Sequence, residues 1–343
     1  MESINSAKRT IMGTRLEMAK LCAFMGKEPW VISSNAAFDN CSDPSVTVII
    51  TLYNYSEYIQ ECLDSVCASI SDRLPGGFDV LVIDDCSTDN SASLVESYLQ
   101  RVDTPLRLVK KLYNTGLADA RNCGLNLARA PFVFMLDADN WIYPNCLEVL
   151  YEAINESSHA AVYGIINCFD NKTGEGVWLN SFYEWDVSEL LITPYIDAMA
   201  MFKKDILLKI GGYSTELMLV AWSGLEDYDL WLNLAQSGYT AKLIPRILSS
   251  YRVHNSSMMN TTNVYFDILA QYLRQKFTKL IEQHKDVTTI FRMPRDMEIN
   301  TESSAILQLR EAKSMIEAME TSKFWKLRTR WFQIKKLVGI TEQ

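Results

Sequence analysis

An excess of positive charge is missing from this 343-residue chain: 33 Lys and Arg stand against 42 Asp and Glu, a net charge of -9. A general nucleic-acid binder displaces phosphate counterions with a basic surface, so nucleic acid is not an expected partner. No apolar run reaches the roughly 20 residues of a membrane-spanning helix. The N-terminus carries Glu2, Lys8, Arg9, Arg15, Glu17 and Lys20 where a secretory signal would be apolar. The eight cysteines include no CxxC pair, so they read as reduced thiols packed as small hydrophobes, with no structural zinc and no disulfide framework. These absences describe a soluble or peripherally bound cytoplasmic protein.

What the sequence does contain is 48% hydrophobic and 11% aromatic residues, enough to fill one large α/β domain with an appendage. From Val46 onward, short β-branched apolar runs alternate with amphipathic segments, the pattern of a parallel sheet covered by helices. Strands are expected at Val46 to Thr51, Phe78 to Ile83, Leu106 to Val109 and Phe132 to Leu136. Between them, Ile59, Leu63, Val66 and Ile70 recur at helical spacing behind a cap at Ser56. A second helix is expected through Leu94, Tyr98 and Leu99, and a third from about Leu117 to Ala130. Beyond residue 150 the alternation breaks down, although Ala160 to Ile166 reads as a strand and Asp227 to Ser237 as a helix with Leu230, Leu234 and Ala235 inward. Thr10 to Met25 is expected to be helical and the polar stretch Ser33 to Pro44 to be a linker. Residues 264–343, with no glycine between Tyr265 and Leu337, read as a separate helical appendage.

Three polar clusters follow predicted strands: Thr51 to Asn54, Asp84 to Asn90 and Asp137 to Asn140. Open parallel sheets bind ligands outside the carboxyl ends of their strands, so the three clusters are expected to face one crevice. Asp137-Ala138-Asp139 leaves its strand with two carboxylates, hard oxygen ligands suited to Mg²⁺ or Mn²⁺. Neighbouring residues of an extended chain point opposite ways, so only one of Asp84 and Asp85 is expected to face a ligand. Capping of the next helix by Asp84 or Asp89 is the competing role. Glu226-Asp227 precedes a helix, where a carboxylate either caps the helix or projects into a cleft as a general base. His254, one of three histidines, is either a metal ligand or an ordinary structural histidine.

In order along the chain stand Val48-Ile49-Ile50-Thr51-Leu52-Tyr53-Asn54, Val82-Ile83-Asp84-Asp85-Cys86-Ser87-Thr88-Asp89, Asn114-Thr115-Gly116-Leu117-Ala118-Asp119-Ala120-Arg121-Asn122, Asp137-Ala138-Asp139, Glu226-Asp227 and Tyr251-Arg252-Val253-His254. This set resembles the family 2 inverting glycosyltransferases of the GT-A fold over about residues 45–255. The resemblance implies an α/β, Rossmann-like nucleotide-diphospho-sugar transferase fold with a mainly parallel central sheet and a helical C-terminal appendage. The implied division is an extension at 1–44, a glycosyltransferase domain at 45–263 and a helical region at 264–343. Within the domain, 45–150 would be the nucleotide-binding half and 151–263 the acceptor half.

The resemblance also implies that Thr51, Tyr53 and Asp85 hold the nucleotide, Asp85 accepting a hydrogen bond from an imide N–H of a base such as uracil. Arg121 would lie near the base or the diphosphate. Asp139, with Asp137 directly or through water, would bind Mn²⁺ or Mg²⁺ bridging the diphosphate, with His254 completing the metal site and Asp227 deprotonating the acceptor hydroxyl. The function implied is transfer of a sugar from a nucleotide-diphosphate donor, expected to be UDP-linked, by inverting single displacement. The acceptor would be a glycan, a lipid-linked molecule or a protein, in polysaccharide or glycoconjugate synthesis. The competing reading is a non-catalytic, glycosyltransferase-like binding or scaffold protein of a glycan-assembly complex, which needs no base such as Asp227. A nucleotidyltransferase needs a Gly-rich phosphate loop, whereas the first strand here leads into Leu52-Tyr53-Asn54-Tyr55-Ser56.

Two further segments invite a role. Trp178, Trp185 and Trp222 are candidates for stacking on sugar rings, with buried packing as the alternative. Near the C-terminus, Phe324, Leu327, Trp331, Ile334 and Val338 form an apolar stripe beside Lys323, Lys326, Arg328, Arg330, Lys335 and Lys336. Such a basic amphipathic helix either lies on an anionic membrane surface or packs on its own domain or on a second subunit.

Overall fold

The computed structural model describes residues 2–217, 224–254 and 259–291, and in it the expected linker opens on the last two residues of a strand and continues into a short helix. Helix α1 (Glu2–Phe24) leads into strand β1 (Trp30–Ser34), which pairs antiparallel with β4 (Leu106–Lys111) from Trp30↔Lys111 to Ser34↔Arg107. Asn35 then caps the short helix α2 (Ala36–Asn40) by accepting the Phe38 N–H at 2.9 Å. Its amide nitrogen donates to the Val102 and Thr104 carbonyls at 3.1 and 2.8 Å. Polar composition misled here because these side chains satisfy backbone groups at a sheet edge instead of facing water. A single apolar residue, the fully buried Phe38, anchors the segment.

The expected α/β alternation follows. Strand β2 (Val46–Leu52) pairs parallel with β3 (Phe78–Asp84) on one side and β5 (Phe132–Asp137) on the other, and β3 pairs parallel with β4. Every residue of β2 and β3 is buried, as strands covered on both faces require. Side chains alternate between two cores. Ile49, Leu81 and Ile83 join one with helix α5 (Leu117–Leu127), whereas Val48, Ile50, Val80 and Val82 join the other with α3 (Ile59–Cys67) and α4 (Ser91–Leu99). Helix α5 lies so close to β2 that a Cβ on Gly124 would sit 2.4 Å from Ile49 Cγ2. Ile59, Leu63 and Val66 face inward as expected, but α3 stops at Cys67 and leaves Ile70 53% exposed. Ser56 does not cap this helix; its N–H donates to Asp89 at 3.1 Å.

The second half contains β6 (Trp141–Ile142), α6 (Cys146–Asn155), β7 (Ala161–Asp170), β8 (Gly176–Asn180), α7 (Val187–Ile192), β9 (Ala200–Lys203), α8 (Lys204–Lys209), α9 (Glu226–Gln236) and β10 (Ala241–Val253). The sheet order is β1-β4-β3-β2-β5-β9-β7-β10-β6, with β8 added on β7. Strand β9 runs antiparallel to both β5 and β7, joining the parallel quartet to the parallel pair β7 and β10. The β7–β10 register shifts twice between Ile244 and Ser249, where Pro245 cannot donate to a regular ladder.

Helices α10 (Met259–Lys276) and α11 (Thr278–Gln283) complete the described elements. They are no separate appendage: Leu269, Leu273, Phe277, Leu280 and Phe291 are buried in the same core as Tyr228 and Trp231. Lys276 Nζ reaches the Asp229 carboxylate of α9 at 2.8 Å. The basic segment 321–343 and Trp222 lie outside the described residues. Among the described residues no helix is long and apolar enough to cross a membrane.

Candidate active site

The three polar clusters meet because their strands end level. Leu52 is paired with Asp84 and Thr51 with Asp137, and cross-links continue beyond the strands. The Asp85 N–H donates to the Leu52 carbonyl at 2.9 Å and the Ala138 N–H to the Thr51 carbonyl at 3.1 Å. Asn54, in the left-handed region at φ 56°, turns its side-chain oxygen to accept from the Thr88 N–H at 2.7 Å. Asp89 accepts from the Ser91 N–H at 2.9 Å at the start of α4, so it holds that end of the helix. Asp84 instead accepts from the Ser87 N–H within its own turn at 3.3 Å.

Asp85 faces the ligand side of the sheet but is already engaged. Its carboxylate accepts the Thr115 and Gly116 N–H groups at 3.1 and 2.8 Å and lies 2.7 Å from Lys111 Nζ. Gly116, at φ 90°, adopts a backbone conformation that favours glycine, which lets its N–H reach Asp85 immediately before α5. Burial works against the charge of Lys111, but the Asp85 and Asp119 carboxylates outweigh it and hold its pKa above the usual value.

Arg121, projecting from α5 and only 2% exposed, ties the two halves of the molecule together. Its guanidinium grips Asp137 at 2.9 and 3.1 Å and Glu226 at 2.6 Å, and lies 5.2 Å from the Tyr213 ring centroid. Thr51 Oγ1 donates to the same Asp137 carboxylate at 2.7 Å. Asp137 is therefore neutralised by this chain's own arginine. That separates it from Asp139, two residues on, whose carboxylate lies 2.9 Å from His254 Nε2. Burial raises the Asp139 pKa, opposed by the His254 hydrogen bond.

His254 is delivered by the end of β10, and Arg252 fixes that end. The Arg252 N–H donates to Asn140 Oδ1 and its Nε to the Asp139 carbonyl, both at 2.9 Å, while its guanidinium packs on Tyr58 and Phe169 at 4.5 and 4.9 Å. Asp139 and His254 offer one oxygen and one nitrogen donor. Among the described residues no three His, Cys, Asp or Glu side chains form a metal cage. With oxygens from a diphosphate, the pair nevertheless makes a mainly oxygen donor set that fits Mn²⁺ or Mg²⁺.

Asp227 sits in the first turn of α9 behind Leu225, a leucine held in the left-handed region at φ 68°. One Asp227 oxygen accepts its neighbour's Tyr228 N–H at 2.8 Å. Burial, then the charges of Glu226 and Asp197, push its pKa to about 8 against the opposing pull of Arg121. Asp197, between α7 and β9, is pushed up to about 6, again by burial first.

These residues border one cleft of about 880 Å³. Thr51, Tyr53, Asp85, Arg121, Asp137, Asp139 and Asp227 all line it, and His254 stands behind Asp139. Trp178 and Trp185 do not; Trp178 is 39% exposed on β8, and Trp185 packs 6.1 Å from Trp231. Sequence reasoning missed Asp197, which stands in no motif, and gave Arg252 no role although it lies inside one.

The family model described as "Glycosyl transferase family 2" matches residues 47–211. Residues 47–211 belong to glycosyl transferase family 2. An uncharacterized glycosyltransferase of Haemophilus influenzae is 27% identical over 250 residues, covering 70% of this chain and 80% of that protein. Glycosyltransferase GlyG of Streptococcus pneumoniae is 24% identical over 155 residues, 45% of this chain, and the match spans only half of GlyG. Among solved structures, the mannosyltransferase PcManGT of Pyrobaculum calidifontis, in complex with GDP-Man and Mn²⁺, superposes with a TM-score of 0.52 at 22% identity, covering 99% of this chain and 88% of that one. TarS of S. aureus in complex with UDP-GlcNAc gives 0.53 at 16% identity over 80% and 81%. At these identities the likeness establishes the fold, which is GT-A.

Proposed function

We propose that this glycosyltransferase moves a sugar from a nucleotide-diphosphate donor to an acceptor hydroxyl by a metal-assisted, inverting single displacement. One observation carries the reading: Arg121 links Asp137, at the strand ends beside Thr51, to Glu226, next to Asp227, so one cleft holds both the donor-side carboxylates and a half-buried carboxyl suited to proton abstraction. In this reading Thr51, Tyr53 and Asp85 border the nucleoside, and Asp85 keeps spare lone-pair capacity beyond its three partners. A UDP-linked donor is the first to try. Arg121 and Asp137 shape the floor beneath the diphosphate.

Asp139 and His254 would hold a divalent ion, which would supply positive charge to offset that of the departing nucleotide diphosphate. Asp227 takes the proton of the acceptor hydroxyl as it attacks the anomeric carbon, and Glu226 and Asp197 keep Asp227 basic enough to do so. Residues 45–263 form the transferase unit, with residues 30–40 and 264–291 packed onto it. The test is nucleotide release from UDP- and GDP-sugars with Mn²⁺, Mg²⁺ or EDTA, with the anomeric configuration of the product read by NMR. Metal-dependent release with inversion is expected, lost in Asp227→Asn while donor binding persists. Retention of configuration, or unchanged turnover in Asp227→Asn, would overturn the mechanism.

A further inference from the structure

Among the described side chains of helix α1 none joins either apolar core, yet two are buried: Met12 is 2% exposed and Leu16 7%. General stickiness does not explain this, because Ile11, Met18 and Leu21 on the other faces of the same helix are 41 to 49% exposed. Met12 borders the cleft together with Tyr53, Asp85 and Asn114, and its sulfur lies 3.9 Å from the Arg15 guanidinium.

The approach of the helix is set by its far end. The Leu112 N–H donates to the Pro29 carbonyl at 2.9 Å, a few residues past the helix, and β1 then pairs with β4. Segment 112–116, to which α1 is thus tied, is the one whose Thr115 and Gly116 N–H groups hold Asp85. Met12 lies ten residues before Cys22, about 15 Å along a helix rising 1.5 Å per residue. Helix α1 therefore enters the cleft from the Asp85 side. With Met12 in place the cleft still measures about 880 Å³, near the upper end of the roughly 300–1,000 Å³ of small-molecule sites. The helix borders the space and does not fill it.

We infer that Met12 is a specificity residue of the nucleoside subsite: helix α1 forms its outer wall, and the Met12 thioether packs against the base. The inference rests on the nucleotide-donor reading above. A polarisable thioether on an aromatic ring contributes about 2- to 10-fold in affinity, and a wall of this kind acts on the base alone.

The test is calorimetry on the full chain with UMP, with GMP and with inorganic pyrophosphate, each in the presence of Mn²⁺, for wild type, Met12→Ala and Met12→Leu. Met12→Ala should weaken the better-bound nucleotide about 3- to 10-fold, Met12→Leu, which restores bulk without the sulfur, should recover only part of that loss, and pyrophosphate should bind all three proteins equally. Unchanged nucleotide affinity in Met12→Ala overturns the inference and leaves the donor reading standing. So does an equal loss for nucleotide and pyrophosphate, which would mean that α1 acts through the fold. Tighter nucleotide binding in Met12→Ala would make the helix a plug and also overturns it. Wild type that binds pyrophosphate but neither nucleotide defeats both readings.

Discussion

Asp227→Asn should make the protein more stable at neutral pH while removing its activity, and both effects follow from one displaced pKa. Asp227 titrates near 8 in the folded chain, against about 3.9 for an unperturbed aspartate. Because the folded value is raised, the folded state binds more protons than the unfolded state between those two pH values. Its stability contribution is complete below about pH 4 and is lost as pH rises toward 8, with a slope of at most about 1.4 kcal/mol per pH unit. Asparagine carries no such charge, so the stability gain of Asp227→Asn should vanish near pH 4, grow through pH 6 and 7, and level off above 8. Urea unfolding at pH 4.5, 6, 7 and 8.5 reads this directly. The same carboxyl must be ionised to act as base, so wild-type kcat/KM should climb about tenfold per pH unit up to roughly pH 8 and then flatten. Nucleotide release by slow donor hydrolysis, with water as acceptor, supplies that profile without knowledge of the natural acceptor. A pH-independent difference in stability between the two proteins, together with a flat rate profile from pH 6 to 9, would refute the reasoning.

Other perturbations test the remaining parts of the site and its support. Asp139→Asn and His254→Ala should each abolish the gain in nucleotide affinity on adding Mn²⁺ while leaving metal-free binding intact, as calorimetry with Mn²⁺ and with EDTA would show; a preserved Mn²⁺ gain in both places the ion elsewhere. Arg121→Leu leaves Asp137 and Glu226 without their shared cation and should cost about 3–5 kcal/mol in urea unfolding; a loss under 1 kcal/mol would mean that the network does not hold the halves together. Lys276→Met strands the buried Asp229 carboxylate, whose pKa burial already raises. Its destabilisation, about 3 kcal/mol near pH 8, should shrink toward pH 4 as Asp229 takes up a proton. A pH-independent loss would mean that the ion pair is incidental to the docking of α10.

The fold of residues 46–137 was legible because each strand there is buried on both faces and each helix on one, so its hydrophobic pattern is local and dense. The polar clusters were legible for the same reason: a strand that ends in Thr51, Asp84 or Asp137 announces where its carboxyl end lies. Where burial is carried by single residues, the signal fails. Phe38 alone anchors the segment read as a linker, and Leu269, Leu273 and Phe277 give no hint on their own that α10 packs into the main core.

The sequence by itself determined the set of chemical groups, namely the carboxylates Asp85, Asp137, Asp139 and Asp227 with Arg121 and His254, and their order along the chain. Only the tertiary structure decided their division of labour. Asp137 and Asp139 are two residues apart, yet one is bound by an arginine from α5 and the other by a histidine 115 positions away at the end of β10. Asp227 acquires its raised pKa from burial first, then from the adjacent Glu226 and from Asp197, which is 30 positions distant and has no motif of its own. Charge is felt through space and desolvation depends on what covers a group, so neighbours along the chain give only part of either. The same holds for Met12, an ordinary helical methionine until the fold turns it toward the cleft.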